Sequence, residues 1–182
     1  PYFRAMLEDL TLNRFPTFAD LIHYMNGSAL PVGRIMSHIL GVKTPPVAAV
    51  YPAADALSIA MQLSNFWRDI GQDWGIGRIY IPQEDMERFN YTEDNLAHHR
   101  VTSNFIELID FEIERTEAYY RQARPAVSLL ATGQIGVMGA LNIYHAILPT
   151  IRRNRYDVFA KRARTSRLQK LALVAAGWWQ TI

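Results

Sequence analysis

Three observations predict an all-α protein built as one helical domain. Apolar residues recur at helical spacing in successive windows; residues 125–151 hold no Asp, Glu, Lys or Arg; and no internal repeat, linker or low-complexity tract divides the 182 residues. With 49% of residues hydrophobic, the chain has enough material for one sizeable core. Cysteine is absent, which excludes disulfides, zinc-thiolate sites and thiol nucleophiles. Net charge is only +2, yet arginine outnumbers lysine sixteen to three. Guanidinium binds phosphate and carboxylate bidentately, so that bias suits an anionic ligand, and a GC-rich genome would produce it equally well. No charged-then-apolar signal opens the chain, and its start at Pro1 without a methionine reads as that of a fragment.

The first element is a helix over Pro1–Arg14, with Phe3, Met6, Leu7 and Leu10 in helical rhythm and Phe15-Pro16-Thr17 as its breaker. Thr17 caps a second helix that begins at Phe18 and has Asp20 in its first turn. That helix is expected to run to about Leu40 with a kink near Gly27 and Ser28, because Pro31 inside it removes a backbone bond. Small residues at a kink either open space for a ligand or allow close helix packing. Val42–Val47 is a loop, and Pro52 suits the first turn of the next helix.

That next helix is buried, has five or so turns and ends at Gly75 and Gly77. On a helical wheel Ser58, Gln62, Asn65, Asp69 and Asp73 share one narrow arc, and Ile59, Leu63, Trp67, Ile70 and Trp74 share an adjoining one. Two carboxylates one turn apart can hold a hard divalent cation that keeps its waters and takes phosphate oxygens from a ligand. The alternative is that both acids face water and Arg68 makes a surface pair. Arg78, on the short extended run Arg78–Pro82, is placed to reach the same anion.

Pro82 begins a short helix in which Glu84 and Asp85 serve as first-turn acids, and Thr92 caps another. His98 and His99 lie about 100° apart on any helix, which suits no shared metal. Residues 104–123 form an amphipathic helix whose acids make a solvated face. The uncharged span 125–151 raises a transmembrane question, but Gln134, Asn142, His145, three glycines and Pro149 favour a helix buried in a bundle.

The run Gln62-Leu-Ser-Asn65-Phe-Trp-Arg68-Asp69-Ile-Gly-Gln-Asp73, followed by Gly77-Arg78-Ile-Tyr80-Ile-Pro82, resembles the second aspartate-rich signature of the squalene and phytoene synthase family. It departs at Gln72, where the family more often has Glu. Asp9-Leu10, Arg14-Phe15, Thr17-Phe18, Leu21, Tyr24, Ala140–Tyr144 and the tail Asn154–Phe159 also fall where family segments do. The resemblance implies a bundle of the isoprenoid synthase type, of which residues 1–182 are the C-terminal two-thirds, without the N-terminal helices that carry the first aspartate-rich motif. It implies Mg2+ on Asp69 and Asp73 and no need of NADPH. It further implies prenyl diphosphates held by Arg68 and Arg78, and a pocket shaped by Gln62, Asn65, Ala29, Val32, Gly33 and Tyr144. Tyr144 faces the reaction cavity in the family, and a buried tyrosine with an ordinary hydrogen-bond partner reads the same way.

The reaction so implied is head-to-head joining of prenyl diphosphates. Ser28-Ala29-x-Pro31-Val32-Gly33 and Phe66-Trp67 point to the squalene-pathway branch, which forms hydroxysqualene or squalene; phytoene or dehydrosqualene synthesis and a non-catalytic prenyl-diphosphate binder are the alternatives. The basic run Lys161-Arg162-Ala-Arg164 meets diphosphate, anionic lipid or water, so the expected location is the cytoplasm, with peripheral membrane contact open. Nucleic acid is not an expected partner, since no reading module accompanies the charge.

Overall fold

The structure is a computed structural model, and it describes residues 11–44 and 46–181. Its described residues contain no strand, only an isolated antiparallel bridge between Val42 and Leu130, so the all-α expectation holds. The expected first helix falls largely outside the described residues. Its described end, from Thr11 to Thr17, is not helical and docks on residues 77–84: Asn13, Phe15 and Pro16 accept backbone hydrogen bonds from Ile79, Gln83 and Glu84.

Helix α1 spans Phe18–Ser28 and starts as the sequence predicts, with a capping box between Thr17 and Asp20. A second carboxylate completes this start, because Glu84 Oε1 accepts from the Phe18 N–H at 2.7 Å. Glu84 is therefore not confined to its own helix start. The expected single kinked helix is two helices: α1 ends at Ala29, and α2 spans Leu30–Leu40. Pro31 lies in the first turn of α2, where its missing N–H costs nothing, so the chain breaks and restarts instead of bending.

A 3-10 turn at Val47–Val50 leads into α3, Tyr51–Gly75, whose 25 residues exceed the five turns expected. Pro52 sits in its first turn, and Gly77 at φ +80° closes its end, with the Gly77 and Arg78 N–H groups bonding back to Trp74 O and Asp73 O. Short helices α4 (Gln83–Arg88) and α5 (Glu93–Ala97) follow, the latter capped by Thr92 as predicted. Helix α6 (Ser103–Ala123) runs into a 3-10 segment, Arg124–Leu129, and then α7 (Gln134–His145), α8 (Ile147–Arg153) and α9 (Arg167–Thr181) complete the described chain.

The uncharged span is thus three pieces separated at Gly133, φ +71°, and at Ala146. Among the described residues, the helical run long and apolar enough to cross a membrane by length and composition is Val47–Gly75. That run forms the centre of the bundle. Ile59, Leu63, Trp67 and Ile70 are buried, as the wheel requires, against α6 on one side, while α2 and α7 flank the other. Polar ties thread the α3–α6 seam: Trp67 Nε1 donates to Thr116 Oγ1 at 2.9 Å, and Ser64 and Tyr120 share a 2.8 Å hydroxyl bond.

The expected solvated face of α6 holds for Glu107 and Glu114, which are exposed, is partial for Asp110 and Glu117, and fails for Glu112. Glu112 is fully buried and, with the nearly buried Asp85 of α4, takes hydrogen bonds from Arg115 at 3.0 and 2.7 Å. Asp110 and Glu114 receive Arg152 of α8, and Glu117 pairs with His145 of α7. Charge alternating with apolar residues marks exposure only when no second charged element packs alongside, and here three do.

Candidate functional site

Helix α2 lies antiparallel to α3. Arg34 pairs with Asp55, and His38 meets the Tyr51 hydroxyl at 2.6 Å, so the end of α2 sits beside the start of α3. The two helices approach closely at Gly33, where an added Cβ would strike Ser58 Oγ and lie 2.9 Å from Ala54 O. Together with α7 and the 3-10 segment Arg124–Leu129 they line a cavity of about 560 Å³ that is open on one side, where Val32 and Met36 are exposed. Its walls include the predicted Ala29, Val32, Gly33, Gln62, Asn65 and Tyr144, and most of the remainder is apolar. Gly33 therefore does both things proposed for the small residues: it packs a helix tightly and it lines a cavity.

The polar arc of α3 enters this cavity through Ser58, Gln62 and Asn65, and Asp69 and Asp73 continue it one and two turns beyond the last lining residue, about 6 Å per four residues. Neither acid points away into solvent. Both are partly buried, and Asp69 is gripped from two sides. Arg68 donates to its two oxygens at 2.8 and 2.6 Å, and Arg162, ninety-three residues away in sequence, donates to the same oxygens at 2.7 and 2.8 Å. Burial pushes the Asp69 carboxyl up, but those two guanidinium groups outweigh it and hold it below the usual carboxylate range. Asp73 goes the other way. Burial first and the neighbouring Asp69 second raise it to about 6, against the pull of Arg78, Arg68 and Arg162.

Arg78 donates to the Tyr80 hydroxyl at 2.9 Å, and the Tyr80 ring stacks on Phe66 with centroids 3.8 Å apart. The segment expected to carry Arg78 is thereby fixed against α3. Arg68 and Arg162 also line two basic hollows on the far side of Tyr144, one shared with Arg164 and Lys170. Tyr144 belongs to both the apolar cavity and the first of these hollows, so it stands at their boundary.

An oxygen-only donor pair one turn apart, with Asp73 raised by burial and then by its neighbour's charge, offers the donor type that a hard divalent cation takes alongside water and phosphate oxygens. Among the described residues no three acidic or histidine side chains gather to form a closed protein cage. Arg162 was legible in sequence only as part of a basic run; its contact with Asp69 spans about half the chain and has no local signal.

Comparisons with known proteins show the family and the fold. A family model described as squalene/phytoene synthase matches residues 2–169. The chain is 35% identical over 183 aligned positions to the 15-cis-phytoene synthase of Synechococcus elongatus, covering 93% of this chain and 59% of that protein. It superposes on a dehydrosqualene synthase crystallised in complex with ligand with a TM-score of 0.89 at 26% identity, over 98% of this chain and 62% of the other. With the squalene synthase HpnC of Alicyclobacillus acidocaldarius the TM-score is 0.75 at 31% identity, over 85% and 58%. The chain spans 43% to 59% of the length of the curated phytoene synthases it matches.

The sequence expectation that favoured the squalene branch is corrected here in emphasis: the curated relatives are phytoene synthases, and the squalene pathway enters through structural likeness. Of the residues that suggested it, Ser28 to Gly33 build the α1–α2 break and the close packing on α3, and Phe66 and Trp67 are buried in the core. With most of its length matched by one family model and its fold shared with solved relatives, the chain belongs to the squalene/phytoene synthase family.

Proposed function

We propose that this chain carries the C-terminal part of a head-to-head prenyl synthase of the phytoene type, which ionises prenyl diphosphates at Asp69, Asp73 and the surrounding arginines. The observation that carries the reading is the change of character along α3: an apolar cavity gives way to Gln62 and Asn65, then to two carboxylates flanked by Arg68, Arg78 and Arg162. An amphiphile with a long apolar tail and an anionic head is the ligand such a gradient fits.

The diphosphate head lies against Arg68, Arg162 and Arg78, whose planar donors match its oxygens two at a time. As the carbon–oxygen bond breaks, the electron pair leaves with the diphosphate and these fixed cations neutralise the charge that develops. Magnesium held by Asp69 and Asp73 would add to that neutralisation. Tyr144, at the boundary, presents its side chain to the leaving group and to the hydrocarbon alike. The walls, among them Met61, Leu57, Val137 and Ala140, present apolar side chains to the hydrocarbon tail.

Mass spectrometry of the lipid formed by the full-length protein tests this. Phytoene from geranylgeranyl diphosphate is the expected product. Hydroxysqualene or squalene from farnesyl or presqualene diphosphate would favour the squalene branch, the reading that the likeness to HpnC supports. No lipid product from any of the three would refute the assignment.

A further inference from the structure

Arg68, Arg162 and Arg164 line two hollows at once, and the two have different neighbours. The inner one is shared with Tyr144, Ile147 and Lys170; the outer one, of about 400 Å³, is shared with Gly71, Gln72 and the segment 158–160. The three guanidinium groups therefore stand between the cavity side and the outer surface. Close packing builds the outer hollow. Gly71 lets the chain pass directly over α3, for an added Cβ there would lie 3.3 Å from the Phe159 Cα. Asp157 Oδ1 accepts from the Phe159 and Ala160 N–H groups at 3.2 and 2.9 Å, and the Phe159 ring stacks on His99 with centroids 4.9 Å apart. That fixed turn delivers Arg162 and Arg164 to Arg68.

The charge of the outer hollow is unbalanced. Arg68 and Arg162 share one carboxylate, Asp69, and among the described residues Arg164 makes no hydrogen bond or ion pair. Among the described residues no acid lines the hollow. Gln72 is exposed on α3 and stands where the family more often has Glu. A carboxylate there would sit among the three cations, whereas the amide of Gln72 can itself donate to an anion.

We propose that the outer hollow is a second anion site, which takes the inorganic diphosphate that the reaction releases. The inference rests on the proposed function, since the ligand is its product. Planar guanidinium donors match diphosphate oxygens two at a time, and unbalanced cations in a recess draw in a multiply charged anion. The phosphate of a lipid headgroup offers similar oxygens, but no large apolar side chain among these walls is exposed to receive a bilayer.

The test titrates the full-length protein with inorganic diphosphate by calorimetry, in chelator at fixed ionic strength, for wild type, Gln72→Glu and Arg164→Gln. In parallel, kcat/KM for geranylgeranyl diphosphate is read with Mg2+ present. Both substituted side chains are exposed, and thermal melting checks that the variants fold. Each variant should bind inorganic diphosphate about tenfold or more weakly than wild type, the loss of one charge-assisted contact. Their kcat/KM should stay at the wild-type level, because product release follows the steps that this ratio reports. A wild type that binds no inorganic diphosphate, or variants that bind it equally well, would overturn the outer site and leave the proposed function standing. Variants that lose kcat/KM in the same proportion would overturn it too, since the hollow would then be part of the substrate site. Flotation with phosphatidylglycerol vesicles that depends on Gln72, in a protein that binds no inorganic diphosphate, would assign the hollow to lipid instead. Gln72-sensitive diphosphate binding in a protein that converts no prenyl diphosphate would refute the proposed function and retain the anion site.

Discussion

Arg115 holds its guanidinium carbon 4.0 Å from the ring centre of Phe18 and 4.5 Å from that of Phe111, while its Nη1 reaches Asp85 and Glu112. One cation thus joins α1, α4 and α6. Replacing it with Met would leave two buried acids without their partner, and a loss of about 3–5 kcal/mol in urea unfolding is expected. Glu112 itself gives a pH signature. Burial first raises its carboxyl well above the ordinary range, Asp85 adds to this, and Arg115 only partly opposes it. A carboxyl raised in the folded state contributes stability that is full below its unfolded pKa and is lost as pH rises through the folded one. Glu112→Gln removes that loss, so the variant should melt higher than wild type at neutral pH and equally in mild acid. Identical melting curves at neutral pH would show that Glu112 carries no such penalty.

At the scale of the helix, the start of α1 and the course of α3 were legible because their signals are local. Thr17 with Asp20 writes a capping box within four residues, and the apolar arc from Ile59 to Ile70 repeats within one helix. The break at Ala29 was legible as a disturbance but not as a restart, since Pro31 permits either outcome until Gly33 is seen against Ala54. Gly33→Ala is accordingly expected to cost about 1–3 kcal/mol by overpacking the α2–α3 contact, read by chemical denaturation. Helix α9 was not anticipated. Its close contact with α7, where Gly177 lies against the Gly139 and Met138 backbone, depends on a pairing that neither segment reveals alone. The roles of Asp85, Glu112 and Arg162 were missed for the same reason: each is fixed by a partner on another element.

Across the molecule, one gradient organises the parts. The cavity end near Leu130 is apolar; the opposite end collects Arg68, Arg162, Asp69, Asp73 and Arg78 from two distant stretches of chain. Helix α9 backs the α7 wall, so deleting residues 167–182 should lower the melting temperature and impair prenyl diphosphate binding together, whereas loss of one without the other would separate wall from backing. The family and the polar arc of α3 were readable because Gln62 to Pro82 keeps a long, specific signature. The product was not, because it depends on the cavity as a whole.

The most direct measurement is calorimetric titration of the full-length protein with a non-hydrolysable prenyl thiodiphosphate, with and without Mg2+, for wild type and Asp73→Asn. Mg2+-dependent binding is expected in the wild type, weakened by about tenfold or more in the variant, as removal of a charge-assisted contact requires. Equal affinity in both proteins, with Mg2+ dependence unchanged, would contradict it.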